Sequence, residues 1–243
     1  MSFKQVSNVL HEEGLNCYKQ PTSQFITNQQ KEERLKFAHK YRKWKQKWKN
    51  CLFSDESILF RGEVGNKFVW LYNRDELQSN QCKQKVKYPT RVHVWGMISY
   101  EGGVFLKKID GKLNSETYIE ILSEAFENFD QNELNNYMFQ QDLASCHTSK
   151  KTLNWLSEQN IELLEWMPKG ADFSPIEKCW SFIKDELDKL YDQNDQYTDD
   201  ELFKAIESIF FSKKLSNSIT KMYQSLHRNV EKIIEKNGDQ INL

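Results

Sequence analysis

Residues 51–60 read CLFSDESILF, and the fold turns on how this stretch is read. From Cys51 the hydrophobic pattern takes a period of two, which predicts a strand with one buried face. Asp55 stands inside that pattern. A carboxylate in an apolar strand must be paired or bound to a cation, because burying it alone costs far more than a side chain's packing returns.

Working outward toward the C-terminus, KFVWLYN (67–73) and RVHVWGMIS (91–99) predict further strands, and VFLKKI (104–109) predicts another after the turn-forming EGG. The polar run between the first two, RDELQSNQCKQKVKYPT, has no helical period and reads as an extended loop or hairpin. NSETYIEILSEAFENF (114–129) is a helix, with Tyr118, Ile121, Leu122, Ala125, Phe126 and Phe129 on its apolar face and Ser115 as N-cap. A strand at 137–141 (YMFQQ), a helix over about 147–158 and a strand at 161–166 (IELLEW) follow. A helix from Ser174 or Pro175 to Tyr191 comes next, and amphipathic helices near 199–212 and 215–236 end the chain. This order predicts the α/β class: a mixed sheet flanked by helices, one domain over 51–243.

Toward the N-terminus, KEERLKFAHKYRKWKQKWKN (31–50) predicts one long helix. Phe37, Tyr41, Trp44 and Trp48 form a single aromatic stripe at i, i+4, i+7 and i+11, with Lys36, Lys40, Lys43 and Lys47 on neighbouring faces. The stripe predicts docking on the body, and the lysines are candidate phosphate contacts. Residues 1–50 carry 11 Lys and Arg against 4 Asp and Glu, whereas residues 51–243 carry 23 against 31. The near-neutral total of −1 thus hides a basic helical arm ahead of an acidic body, and the arm points to a polyanionic partner.

The 243 residues suffice for a large core, and at 13% aromatic they hold too much packing material for a disordered chain, despite a mean hydropathy of −0.78. No stretch approaches the ~18 apolar residues of a membrane span, and no secretory signal is visible. Five scattered cysteines without a CxxC pair argue against a disulfide framework or zinc ribbon, and for an intracellular setting.

Position selects three acids from the 35. Asp55 is one. Asp142 ends YMFQQD at the C-terminal mouth of a predicted strand, where open α/β sheets bind ligands. Glu177 opens a helix after MPKGADFSP. Carboxylates converging from these edges suit two Mg²⁺ ions, which take hard oxygen ligands and serve phosphodiester chemistry. Glu177 also has a purely structural reading, since Ser174-Pro175-Ile176-Glu177 matches the S-x-x-E capping box with Pro at the first helical position.

Five collinear motifs give the chain a resemblance over about residues 15–190: LFSDES, VWGMIS, IDGKLNSETYIEIL, FQQDLASCHTSKKTLNWL and IELLEWMPKGADFSPIEKCW. Together they resemble the mariner-superfamily DNA transposases, in the branch whose third acid is Glu; thirty-four residues between Asp142 and Glu177 match that branch. The resemblance implies a ribonuclease H-like fold with Asp55, Asp142 and Glu177 as the catalytic, metal-binding triad. It implies cleavage of DNA at transposon ends and joining of the freed 3′-OH to target DNA, with two Mg²⁺ ions (Mn²⁺ substituting). A homodimer on paired ends is also implied, acting in the nucleus if the host is eukaryotic.

Two departures alter the cleft. Leu143 and Ser145 stand where the family has Asn and Pro, and GADFSPIE replaces SPDLNPIE. VSNVLHEEGL (6–15) resembles only the tail of a helix-turn-helix module, so residues 1–50 read as basic arm plus the remnant of a DNA-binding region. A lone remnant helix cannot fix itself in a groove. The competing expectation is therefore a domesticated or decayed derivative that binds DNA or protein without transposing.

Of the remaining candidates, Cys146 and His147 are sequence neighbours, poorly placed as a nucleophile–base pair, and are expected to be structural or cleft-lining. Lys150, Lys151 and Lys178 flank the acids and are further candidate phosphate contacts. Trp95 and Trp180 are expected in the core.

Overall fold

A computed structural model describes residues 25–60, 90–127, 129–190 and 198–241, together with Val6, Val9, Glu12 and Glu13. The predicted strand at 67–73 and the polar run up to residue 89 lie outside the described residues, as does most of 6–15. Five strands form one mixed sheet: β1 (Cys51–Phe60), β2 (Arg91–Ser99), β3 (Gly102–Lys108), β4 (Met138–Gln140) and β5 (Glu162–Leu163). Their order is β3-β2-β1-β4-β5. β1 is central: it pairs antiparallel with β2, setting Asp55 opposite Gly96, and parallel with β4, setting Phe53 opposite Gln140.

Period two sorts β1 between two cores. Cys51, Phe53 and Leu59 enter the larger one, covered by α1 (Asn28–Tyr41), α5 (Pro175–Leu190), α6 (Asp199–Phe210) and α7 (Lys213–Glu235). Leu52 faces the other, with Trp95, Met97 and Phe139, covered by α2 (Ser115–Phe126) and α4 (Lys150–Glu158). A short helix, α3 (Gln131–Leu134), leads into β4. Asp55 shares the parity of Phe53 and therefore points toward α5, whereas Glu56 points to the opposite face.

The elements differ from expectation where tertiary contacts compete with local pattern. The N-cap of α2 is Asn114 rather than Ser115, its side-chain Oδ1 accepting from the N–H groups of Glu116 and Thr117. The strand expected over 161–166 is only Glu162–Leu163. The arm is not one helix over 31–50. α1 starts at Asn28, capped by a reciprocal Thr27–Gln30 pair, and stops at Tyr41; a 3₁₀ turn, Gln46–Asn50, follows. Bending brings Trp44 edge-on to Tyr41 (ring centroids 4.6 Å) and buries Trp48 against Phe173 (5.4 Å), a reach a straight helix lacks.

The arm is bolted down by a buried arginine. Arg34 is fully buried, donates to both carboxylate oxygens of Asp172 (3.0 and 2.7 Å) and to the carbonyls of Lys169 (2.6 Å) and Gly238 (2.8 Å). Gly238 has φ +80°, and a Cβ there would meet the Lys31 carbonyl oxygen at 2.2 Å, so only glycine lets the end of α7 seat on α1.

Candidate active site

Three elements deliver the three selected acids to one cleft of about 410 Å³: Asp55 from β1, Asp142 from the loop after β4, and Glu177 from the first turn of α5. Ser54, Gln140 and Ser174 also line it. The expected S-x-x-E capping box does not form. Ser174 Oγ is buried with no hydrogen-bond partner, and Glu177 is committed to the cleft instead. The loop packing that buries Ser174 competes with the cap.

Asp55 is held from α5. The indole Nε1–H of Trp180 donates to Asp55 Oδ2 at 3.0 Å. Gly96 makes room for that ring: a Cβ there would meet Trp180 Cη2 at 2.6 Å. Trp180 also stacks on Phe210 at 5.9 Å and is in the core as expected, but it carries a contact to the first acid that the sequence did not disclose.

The electrostatics tie the acids together. Burial, then the negative charges of Glu177 and Glu56, push the Asp55 carboxyl up to about 8 against the indole hydrogen bond. Burial also raises Glu177, with Lys184 opposing and Asp142 reinforcing. Among the described residues no lysine or arginine forms an ion pair with these three carboxylates. The hard oxygen donors of these carboxylates fit a divalent cation. The acids line the cleft without closing on a common point: among the described residues no group of three His, Cys, Asp or Glu side chains is gathered to hold a metal ion.

Asp142 instead faces a network on the other side of the sheet. Its Oδ1 accepts from the Ala144 N–H at 2.8 Å and from His147 Nδ1 at 2.5 Å, while His147 Nε2 lies 3.2 Å from Glu56 Oε1. Carboxylates only accept, so both ring nitrogens donate and the imidazole is charged. Burial opposes that charge, yet the hydrogen bonds to Asp142 and Glu56 carry the His147 pKa up to about 10. The His147 bond, outweighing burial, holds Asp142 below its ordinary value. Of the structural and cleft-lining roles expected for His147, the structure shows a buried hydrogen-bonding one; its place five residues after Asp142 was the available signal. Glu56 was not singled out, although it adjoins Asp55 in SDES.

Lys36, Lys40, Lys43 and Lys47 are all exposed. Lys36 and Lys40 line a second groove, of about 380 Å³, that shares Leu143, Trp166, Met167 and Pro168 with the cleft. Lys40 also pairs with Glu165, and Lys47 lies 5.8 Å over the Trp44 ring. Lys150 is exposed at the start of α4, Lys151 is paired with Glu116 at 2.7 Å, and Lys178 is half-buried beside Glu177. Of the departing residues, Leu143 is exposed at the cleft.

Residues 50–198 match the family described as DDE superfamily endonuclease. The chain is 27% identical over 247 residues to the transposable element Tc1 transposase of Caenorhabditis elegans, covering 98% of this chain and 86% of that protein. Among solved structures, the Mos1 strand transfer complex superposes with a TM-score of 0.81 at 16% identity, covering 97% of this chain and 70% of that one. The mariner Mos1 paired end complex with Mg gives 0.78 at 17% identity, covering 97% and 71%. At these identities the likeness is one of fold, and the fold is ribonuclease H-like, as expected.

Proposed function

The chain belongs to the DDE superfamily endonucleases as a mariner-superfamily transposase catalytic domain, and on that premise we propose how its residues act. Asp55, Asp142 and Glu177 are the catalytic acids, cutting DNA phosphodiesters at transposon ends and joining the 3′-OH to target DNA. The observation supporting this is their delivery from three separate elements to one cleft, where Asp55 is raised to about 8 by burial and by Glu177 and Glu56.

The same carboxylates would hold two Mg²⁺ ions, with Mn²⁺ able to replace them. When bound, such ions lower the pKa of the attacking oxygen and stabilise the leaving one. Asp55 would contribute to this set from β1, beside Glu177 in the cleft. Trp180 fixes its Oδ2, and Asp142 approaches from the far side of the cleft on its own hydrogen bonds. Positive charge for the DNA backbone comes from Lys36, Lys40, Lys43 and Lys47 on the arm (1–50) and from Lys150, Lys151 and Lys178 near the acids (51–243). The neighbours described as Mos1 paired end and strand transfer complexes favour a homodimer on two DNA ends, and the nematode relative favours action in the nucleus. Among the described residues no helix is long and apolar enough to cross a membrane.

The test compares wild type with Glu177→Gln on pre-cleaved transposon-like ends in Mg²⁺ or Mn²⁺. Gln keeps the side-chain size and removes the anionic oxygen, so folding stays normal while cleavage and joining are lost. Equal activity in the two proteins would remove Glu177 from the metal-binding set.

A further inference from the structure

We infer that His147 is a positioning residue that sets the orientation of the Asp142 carboxylate by hydrogen bonding from Nδ1, with Glu56 anchoring the imidazole from its other nitrogen. The inference rests on the reading of Asp142 as a metal ligand and adds to it the group that aims it.

Asp142 is half-exposed, on a loop with no strand ladder beyond Gln140 to fix it. A carboxylate so placed samples several rotamers, and a metal site must pay the entropy of choosing one. His147 removes that freedom. It is buried to 2% exposure and its Nδ1 lies 2.5 Å from Oδ1 of Asp142, a residue that lines the cleft. The ring cannot swing away. Glu56 Oε1 lies 3.2 Å from Nε2, and Tyr118 packs over the ring with centroids 4.1 Å apart. The backbone is fixed as well: Gln141 Nε2 donates to the His147 carbonyl at 3.0 Å, and the Tyr118 hydroxyl donates to Gln141 Oε1 at 3.0 Å. The imidazole and the Gln141 links behind it are buried, so the half-exposed carboxylate is tied to the second core through His147.

The register of β1 makes this economical. Consecutive residues point to opposite faces, so Asp55 enters the cleft beside α5 while Glu56 reaches beneath the sheet to His147. One dipeptide thus supplies an acid to the site and the anchor for the group that aims a second acid.

The experiment measures Mn²⁺ binding by the full chain, by electron paramagnetic resonance or calorimetry, with thermal melting as a check on folding. Asn at this position places its amide near Nδ1, whereas Gln places it near Nε2. We expect His147→Gln to weaken Mn²⁺ binding about 10–100-fold, as outer-shell losses do, and His147→Asn to recover most of that loss at comparable melting temperature. Equal affinity in wild type and both variants overturns the inference, and so does an equal loss in both. If His147→Gln does not fold, Glu56→Ala decides: weaker Mn²⁺ binding supports the anchoring role and unchanged binding overturns it. Asp142→Asn tests the underlying reading separately, since unchanged Mn²⁺ affinity there removes Asp142 as a ligand whatever the His147 variants do.

Discussion

Trp180 donates its indole N–H to Asp55 Oδ2 at 3.0 Å, across a gap that exists only because Gly96 has no side chain. A core residue and a candidate metal ligand are therefore one packing unit. Trp180→Phe keeps most of the packing and deletes the donor. The expected cost is about 1–3 kcal/mol of stability, from a lost hydrogen bond to an ionisable group. Urea denaturation should read this, and Mg²⁺-dependent cleavage should fall with it. A variant as stable and as active as wild type would mean the bond is idle.

Gly96→Ala attacks the same unit from the other side. Its Cβ would meet Trp180 Cη2 at 2.6 Å and Phe210 Cε2 at 3.2 Å, both on rings fixed in the larger core. Overpacking of this kind costs about 1–3 kcal/mol. The indole must shift off Asp55, so the loss of activity should exceed that of an equally destabilising substitution elsewhere in the core. Ile183→Val is a suitable control.

Stability of the metal-free protein should fall with rising pH. Asp55 is raised from an ordinary 3.8 to about 8, so between those values the folded chain holds a proton that the unfolded chain releases. Its contribution is complete below about pH 4 and is lost as pH rises through 8. His147, raised from 6.5 to about 10, adds a loss between those values. Melting temperatures in chelator should decline across pH 4–8, and Asp55→Asn should flatten the curve between pH 4 and 6.5 while leaving the decline that His147 adds between 6.5 and about 10. A wild-type profile already flat over this range would contradict a protonated, buried Asp55.

Arg34→Met should be among the most damaging substitutions in the arm. It removes a fully buried guanidinium and takes from Asp172 its bidentate partner, a loss of about 3–5 kcal/mol. Arg34→Lys should rescue little, because a single ammonium cannot reproduce the fork. Hydrogen exchange should rise in the turn at Gly170–Asp172, just before Glu177, and unchanged exchange there would separate the arm from the site.

What the sequence disclosed follows from the range of the forces involved. The period of two in CLFSDESILF and the apolar faces of the helices are local, and they gave the class, the cores and the edges where the acids sit. Position put Asp55, Asp142 and Glu177 at element edges and five collinear motifs singled them out; the structure brings the three to one cleft. The capping box at Ser174 failed for the opposite reason: it is a local motif, and burial of the loop overrode it. The bend after Tyr41 was set by Phe173, far away in sequence, so the aromatic stripe alone suggested a straight helix. The Glu56–His147 and Trp180–Asp55 bonds were hidden because each joins residues far apart in sequence on different elements.

The seat of Arg34 has a consequence for anyone shortening this chain. Besides Asp172 and Lys169, the guanidinium binds Gly238 O, while the Ile241 N–H donates to Asp172 Oδ2 at 2.9 Å. Residues near 34 and residues near 240 thus clasp the turn that leads into Glu177, like two hands on one handle. Trimming a few residues after α7 looks harmless on paper, yet it opens one hand and edits the cleft from 60 positions away.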